Sequence, residues 1–80
     1  MDKYEQIARD ILEDTCETDE IFEDYDMDLF EAGYLNSFAV LNIILDIEKE
    51  LGIKLQPTDI SGDDIKSVSS FIAYITKLDS

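Results

Sequence analysis

The side chains that could do chemistry in this 80-residue chain are few, and most lack the partner that such chemistry needs. There is no histidine, which removes the commonest general base and the commonest metal ligand. Cys16 is the only cysteine, with no disulfide partner and no base to activate it, so we interpret it as a small apolar residue. No serine lies in a Gly-x-Ser-x-Gly segment, which argues against an esterase-like site. A chain of 80 residues also has no room for a core and an enclosed substrate cavity, so we expect a binding or carrier module and not an enzyme.

Three aspartates at alternating positions resemble the start of a calcium-binding loop. Asp24, Asp26 and Asp28 have the spacing of the first EF-hand ligands. However, Leu29 occupies the position where that loop needs glycine for its turn, and Leu35 the position of its bidentate glutamate. We therefore expect no metal site.

Ser37 is the serine whose surroundings are most informative, because it opens the segment with the strongest helical pattern. That segment covers residues 37–51 and reads SFAVLNIILDIEKEL. Asn36 is a favoured N-cap, and Gly52 is suited to end the helix. The pattern therefore predicts that Ser37 is the first helical residue.

The predicted helix 37–51 has two apolar faces. At about 100° per residue, one face is a normal core stripe, formed by Val40, Ile43, Ile44, Ile47 and Leu51. Phe38, Leu41 and Leu45 lie on nearly the opposite side, and we call these three residues the outer stripe. Either the preceding loop covers the outer stripe through Phe22 or Phe30, or the stripe stays exposed as a docking surface edged by acids.

The remaining elements also favour an all-α fold. Apolar spacing predicts a first helix over residues 2–15 and a last helix capped by Ser67, with a loop of about 20 residues after the first helix. We expect at most a short helical turn in residues 58–66, after Pro57. The sequence thus predicts one domain over residues 1–80, a bundle of three main helices and one short helix. Apolar side chains should anchor the long loop, namely Ile21, Phe22, Leu29, Phe30 and Leu35.

The charge of the chain restricts its partners. Twenty acids against six bases give a net charge of −14, and no Lys or Arg lies between Arg9 and Lys49. Such a field repels nucleic acid and anionic membrane surfaces and attracts basic protein patches. The N-terminus lacks the apolar stretch of a signal peptide, and no apolar run is long enough to span a membrane. We expect a cytoplasmic monomer that binds no nucleic acid and does not insert into membranes.

The segment from Asp28 to Phe38, DLFEAGYLNSF, resembles the modification site of acyl carrier proteins. In that family an apolar anchor, a glycine and a second apolar residue precede an Asp-Ser-Leu or Asp-Ser-Phe triplet that opens the second helix. The resemblance extends over almost the whole chain in the order and spacing of its helices and loops. One position departs from the pattern, because Asn36 stands where the family usually has aspartate.

The resemblance implies that Ser37 carries 4′-phosphopantetheine, whose terminal thiol holds acyl or aminoacyl groups as thioesters. The start of a helix suits this group, since free N–H groups and the helix dipole favour a phosphate. The implied partners are a phosphopantetheinyl transferase, an acyl-loading ligase or acyltransferase, and synthase enzymes with basic patches. The implied docking residues are those of the outer stripe together with Asn36, Asp46, Glu48 and Glu31.

Within the family, two subtypes fit the sequence. The Ser-Phe pair and the Leu-Phe-Glu-Ala-Gly run are similar to D-alanyl carrier proteins of teichoic acid modification. Those proteins typically have an aromatic-rich stretch with Trp before the last helix, whereas residues 61–67 read SGDDIKS here. We therefore expect a discrete acyl carrier for fatty acid or specialised acyl chemistry, with the D-alanyl carrier as the alternative. An acidic mimic of nucleic acid is a more distant alternative, since it explains neither the outer stripe nor the serine segment.

Overall fold

The computed structural model describes residues 2–79 and consists of helices joined by loops. The α-helices in chain order are α1 (Lys3–Cys16), α2 (Ser37–Leu51), α3 (Gly62–Ile65) and α4 (Val68–Asp79). Residues 2–79 contain no strand. Three helices are long and α3 is one turn, so the predicted fold class is confirmed. No helix in the described range is long and apolar enough to cross a membrane.

Helix α1 forms the centre of the bundle, because it packs against both α2 and α4. It lies one residue later at each end than the predicted range of 2–15, since the Asp2 carboxylate accepts a 3.1 Å hydrogen bond from the N–H of Tyr4 and so caps the helix. The Tyr4 hydroxyl donates a 2.9 Å hydrogen bond to Asp79, which fixes the start of α1 to the end of α4. Fully buried side chains fill the space between the elements, among them Leu12, Ile21, Leu29, Ile43, Ile47, Ile65, Phe71 and Ile75.

The long loop between α1 and α2 is anchored by apolar side chains, as predicted. Ile21, Leu29 and Leu35 are buried, and Phe22 and Phe30 are partly buried against the core. Within the loop, Glu20–Glu23 forms a 3₁₀ helix that the sequence pattern did not predict.

Polar contacts also hold this loop against the helices. The Tyr25 hydroxyl donates to Glu5 at 2.8 Å, and the Tyr25 carbonyl accepts hydrogen bonds from the N–H and the hydroxyl of Ser69. The Arg9 guanidinium lies 4.5 Å from the centre of the Phe22 ring, a cation–π distance. The loop is therefore fixed at one end of the bundle by both α1 and α4.

The three alternating aspartates hold this loop in place, two through its own backbone and one through α4. Asp24 accepts a hydrogen bond from the N–H of Asp26, and Asp28 accepts two, from the N–H groups of Phe30 and Glu31. Asp26 and the Tyr25 carbonyl share the single hydroxyl proton of Ser69, which lies 2.9 Å from each. Within residues 2–79, no three acidic or cysteine side chains come together in an arrangement that could hold a metal ion.

The segment between α2 and α4 differs from the prediction of at most one helical turn. It contains two, a 3₁₀ turn at Pro57–Asp59 and the short helix α3. Each turn starts with a reciprocal cap, in which the third helical residue accepts a hydrogen bond from the backbone N–H before the turn. Asp59 accepts from Gln56 at 2.8 Å, and Asp64 accepts from Ser61 at 3.0 Å. Each turn has its own cap, which explains why the segment forms two separate turns.

Candidate functional site

Ser37 is the first residue of α2, as the sequence predicts, because Asn36 caps the helix. Asn36 is extended, with φ −150° and ψ −174°, and its Oδ1 accepts a 3.0 Å hydrogen bond from the N–H of Ala39. At the other end Gly52 has φ 71°, and its N–H donates to the carbonyl of Glu48 at 2.8 Å. Local signals at both ends therefore fix where the helix presents Ser37.

The Ser37 side chain is exposed, and its hydroxyl makes no hydrogen bond within residues 2–79. In the first turn of α2 the N–H groups of Ala39 and Val40 are bonded to Asn36. Those of Ser37 and Phe38 have no partner in the same part of the chain. A phosphate on the Ser37 oxygen would meet two free N–H donors and the positive end of the helix dipole. The residues present therefore fit a phosphodiester-linked group.

The other described serines are committed to the fold. Ser67 is buried and accepts a 3.1 Å hydrogen bond from the N–H of Ser70, which confirms its predicted role as the cap of α4. The Ser70 hydroxyl is paired with that of Ser67, and Ser69 is bonded to the loop at Tyr25. Ser61 is exposed, but its hydroxyl donates to Asp64 at 3.1 Å. Among the serines of residues 2–79, Ser37 alone combines an exposed position with an unpaired hydroxyl.

Replacing the cap tests how α2 is held in place. Asn36→Ala removes the acceptor for the N–H of Ala39, and we expect the free energy of unfolding to fall by about 1 kcal/mol. Asn36→Asp keeps the acceptor, so its free energy of unfolding should match that of the original chain to within a few tenths of a kcal/mol. Urea unfolding followed by circular dichroism measures both. Equal loss in the two variants would show that the hydrogen bond to Ala39 is not what stabilises the helix start.

The outer stripe is exposed beside Ser37. Phe38, Leu41 and Leu45 keep 79%, 48% and 62% of their surface accessible, and they are the large apolar side chains most exposed in residues 2–79. Phe22 packs under Arg9, while Phe30 lies towards Gly62, so neither aromatic ring covers the stripe. Of the two interpretations of the second apolar face, the structure fits the exposed one.

The predicted core face of α2 is largely confirmed. Ile43, Ile44 and Ile47 are buried, and Val40 and Leu51 are partly buried against the core. Ala39, which the prediction left out, is also buried.

The acids predicted for docking do not lie together. Glu31 is exposed in the loop before α2. Glu48 is half-buried near the far end of the helix, three residues after Leu45. Asp46 lies about 80° round the helix from Phe38 and lines a pocket with Asp10 and Asp14 of α1. Asp46 is therefore turned towards α1 and away from the outer stripe.

Asp46 is also electrostatically unfavourable in this position. Its Oδ2 is buried and accepts no hydrogen bond within the described chain. Burial is the main cause that raises the pKa of Asp46 above 3.8, and the charge of Asp14 is the second. The charge of Lys49 lowers the pKa of Asp46, but this does not outweigh burial and the charge of Asp14. The sequence analysis did not identify Asp14, because nothing local pairs it with a residue on α2.

Asp46→Asn should raise the melting temperature at pH 7 by a few degrees. A carboxyl whose pKa is higher in the folded state binds more protons there, so its ionisation costs stability above that pKa. The advantage of Asn should therefore shrink as the pH falls through the raised pKa of Asp46 towards 3.8. Thermal melts between pH 7 and pH 4 measure this, with Glu23→Gln as a control that removes one exposed charge elsewhere. A gain no larger than that of Glu23→Gln, or one that does not depend on pH, would contradict the assignment.

Comparisons with known proteins agree with this geometry. The phosphopantetheine attachment site family matches residues 5–75, which is most of the chain. D-alanyl carrier proteins from Bacillus cereus strains B4264 and AH187 and from Bacillus anthracis strain CDC 684 are each 36% identical to it over 64 residues. These alignments cover 80% of this chain and 81% of each relative.

In this family 4′-phosphopantetheine is attached covalently to a serine, and the protein presents what the arm carries without catalysing a reaction. The match covers both the long loop and α2, where the exposed serine lies. The chain is therefore a phosphopantetheine carrier protein of the phosphopantetheine attachment site family.

Proposed function

We propose that Ser37 is the attachment serine and that the arm carries an aminoacyl group of the D-alanyl type. The observation that supports the first part is the free, exposed hydroxyl of Ser37 at the start of α2. The second part is supported by the D-alanyl carrier proteins, which align with four fifths of this chain. Because these relatives are D-alanyl carrier proteins, we prefer the D-alanyl subtype to the fatty acid carrier that we expected from the absence of Trp.

Attachment requires little of the carrier beyond the position of one oxygen. The Ser37 Oγ attacks a phosphorus of the coenzyme A pyrophosphate, an O–P bond forms, and the P–O bond to the departing adenosine bisphosphate breaks. The hydroxyl proton passes to a base on the phosphopantetheinyl transferase, since this chain has no histidine to accept it. The free N–H groups of Ser37 and Phe38 then stabilise the negative charge of the diester.

When bound, the arm supplies a thiol that holds the cargo as a thioester. The role of this chain is to present that thiol to successive partners, which we infer to be the transferase, a loading ligase and an acceptor enzyme. The outer stripe lies next to Ser37, so we include its three residues in the docking surface. Asn36 lies at the edge of this surface, while Glu31 and Glu48 lie further from Ser37, in the preceding loop and near the end of α2. We leave out Asp46, because it faces α1.

Loading of the purified holo form distinguishes the two subtypes. With ATP, D-alanine and a D-alanine-activating ligase, the chain should gain the mass of one alanyl group, and hydroxylamine should remove it as expected for a thioester. A fatty-acid-type acyltransferase with malonyl coenzyme A should load it much more slowly. The reverse order of rates would reject the D-alanyl proposal and support the acyl carrier.

A further inference from the structure

The sequence on both sides of Ser37 carries no formal charge, in a chain where 32% of the residues are charged. Residues 32–45, AGYLNSFAVLNIIL, contain no Asp, Glu, Lys or Arg. Glu31 precedes this segment and Asp46 follows it. The segment contains the end of the loop and the first nine residues of α2, so the site of modification interrupts the acidic surface.

The charges nearest the C-terminal end of the outer stripe do not form an acidic patch either. Glu48 follows Leu45 by three residues and is the acid of α2 beside this end of the stripe. Lys49 lines the pocket with Asp14 and Asp46, where its charge lowers the pKa of Asp46. Asp46 is turned to Asp14 on α1. A basic patch laid over Phe38 and Leu41 would give up water and find no partner charge on this face of α2 nearer than Glu48, about two turns beyond Leu41, which is unfavourable.

An enzyme that acts on Ser37 has to cover this uncharged surface. Phe38 follows Ser37 directly and leaves 79% of its surface in water, and Leu41 lies one helical turn further on with 48% exposed. A partner that brings a phosphorus atom to the Ser37 oxygen therefore contacts these side chains. Burying them against apolar groups is favourable, and the small area suits a short-lived complex.

We propose that the phosphopantetheinyl transferase recognises this carrier through an apolar groove that receives Phe38 and Leu41, and not through a basic patch facing α2. This inference rests on the proposed attachment at Ser37. It revises the expectation that partners recognise this surface by its acids, and it assigns the acidic charge of the chain to other faces.

Transfer from saturating coenzyme A by a broad-specificity transferase tests the proposal. Phe38→Ala and Leu41→Ala should each lower kcat/KM by about tenfold, because both side chains are anchors. Glu48→Gln should lower it by less than about threefold, as rim charges do, and Glu23→Gln is the matched control for loss of one charge. The kcat/KM of Leu41→Ala relative to that of the original chain should not change when NaCl is raised from about 0.05 to about 0.5 M, because salt screens charges and not apolar contacts. Circular dichroism checks that each variant is folded, which is expected because the side chains are exposed.

The outcomes separate this inference from the attachment itself. If the original chain gains the arm and the two alanine variants gain it equally fast, attachment stands and recognition through the stripe is wrong. A loss with Glu48→Gln larger than that with Leu41→Ala would likewise overturn the inference in favour of a basic partner surface. If the original chain gains no mass, attachment at Ser37 is itself refuted, and this inference with it.

Discussion

Ser37→Ala should abolish the mass increase that the chain gains from coenzyme A and a phosphopantetheinyl transferase. The variant removes the one exposed, unpaired serine hydroxyl in residues 2–79 and leaves the rest of α2 intact. The Asn36 cap bonds the N–H of Ala39 and does not involve the Ser37 side chain. Stability should therefore change by no more than about 0.5 kcal/mol.

Ser61→Ala is the matched control for this prediction. Ser61 is also an exposed serine at the start of a helix, but its hydroxyl is bonded to Asp64. The Ser61→Ala chain should gain the arm at the original rate, which shows that the loss in Ser37→Ala is specific. Mass gain in Ser37→Ala, or its loss in Ser61→Ala, would place the attachment elsewhere.

Leu29→Ala should lower the free energy of unfolding by about 3 kcal/mol, which is the largest effect we expect from a residue of the long loop. Leu29 is fully buried, and its N–H donates a 2.6 Å hydrogen bond to the carbonyl of Lys66, between α3 and α4. Its carbonyl accepts from the N–H groups of Tyr34 and Leu35, just before α2. The buried side chain and these main-chain hydrogen bonds together anchor the segment that leads into the attachment site, and Leu29→Ala removes the first of the two.

Urea unfolding measures this loss, with Met27→Ala as the control. Met27 lies in the same loop but is only partly buried, so its truncation should cost less than half as much. A chain this small has little stability to spare, so Leu29→Ala should also be partly unfolded at physiological temperature. Equal losses in the two variants would show that the loop is not anchored through Leu29.

The parts of the fold that were predictable have local signals. Helix α2 begins after Asn36 and ends at Gly52 because a cap and a left-handed glycine act within one turn. The 3₁₀ helix at Glu20–Glu23 has no such pattern. It depends on the burial of Ile21 in a core formed by distant elements and on a hydrogen bond from the N–H of Glu20 to Thr18. The burial of Ile21 is tertiary and the bond to Thr18 spans only two residues, so helical periodicity reveals neither.

The orientation of Asp46 is the part of the site that the sequence did not predict. The helix pattern places Asp46 between the two apolar stripes, and as an acid of α2 it is predicted to dock together with Glu48. Which flank of α2 receives α1 is a property of packing and is not encoded in the helix itself. The sequence holds one indication, because the predicted core residue Ile43 precedes Asp46 by three positions on the same flank, and Ile43 is buried.

The position of the arm can be measured directly by trypsin digestion of the modified chain. Because no Lys or Arg lies between Arg9 and Lys49, Ser37 is the one serine in the peptide 10–49, while Ser61 falls in peptide 55–66 and Ser67, Ser69 and Ser70 in 67–77. We predict that the phosphopantetheine mass is found on peptide 10–49 and that fragmentation assigns it to Ser37. The same mass on either of the other two peptides would contradict the account.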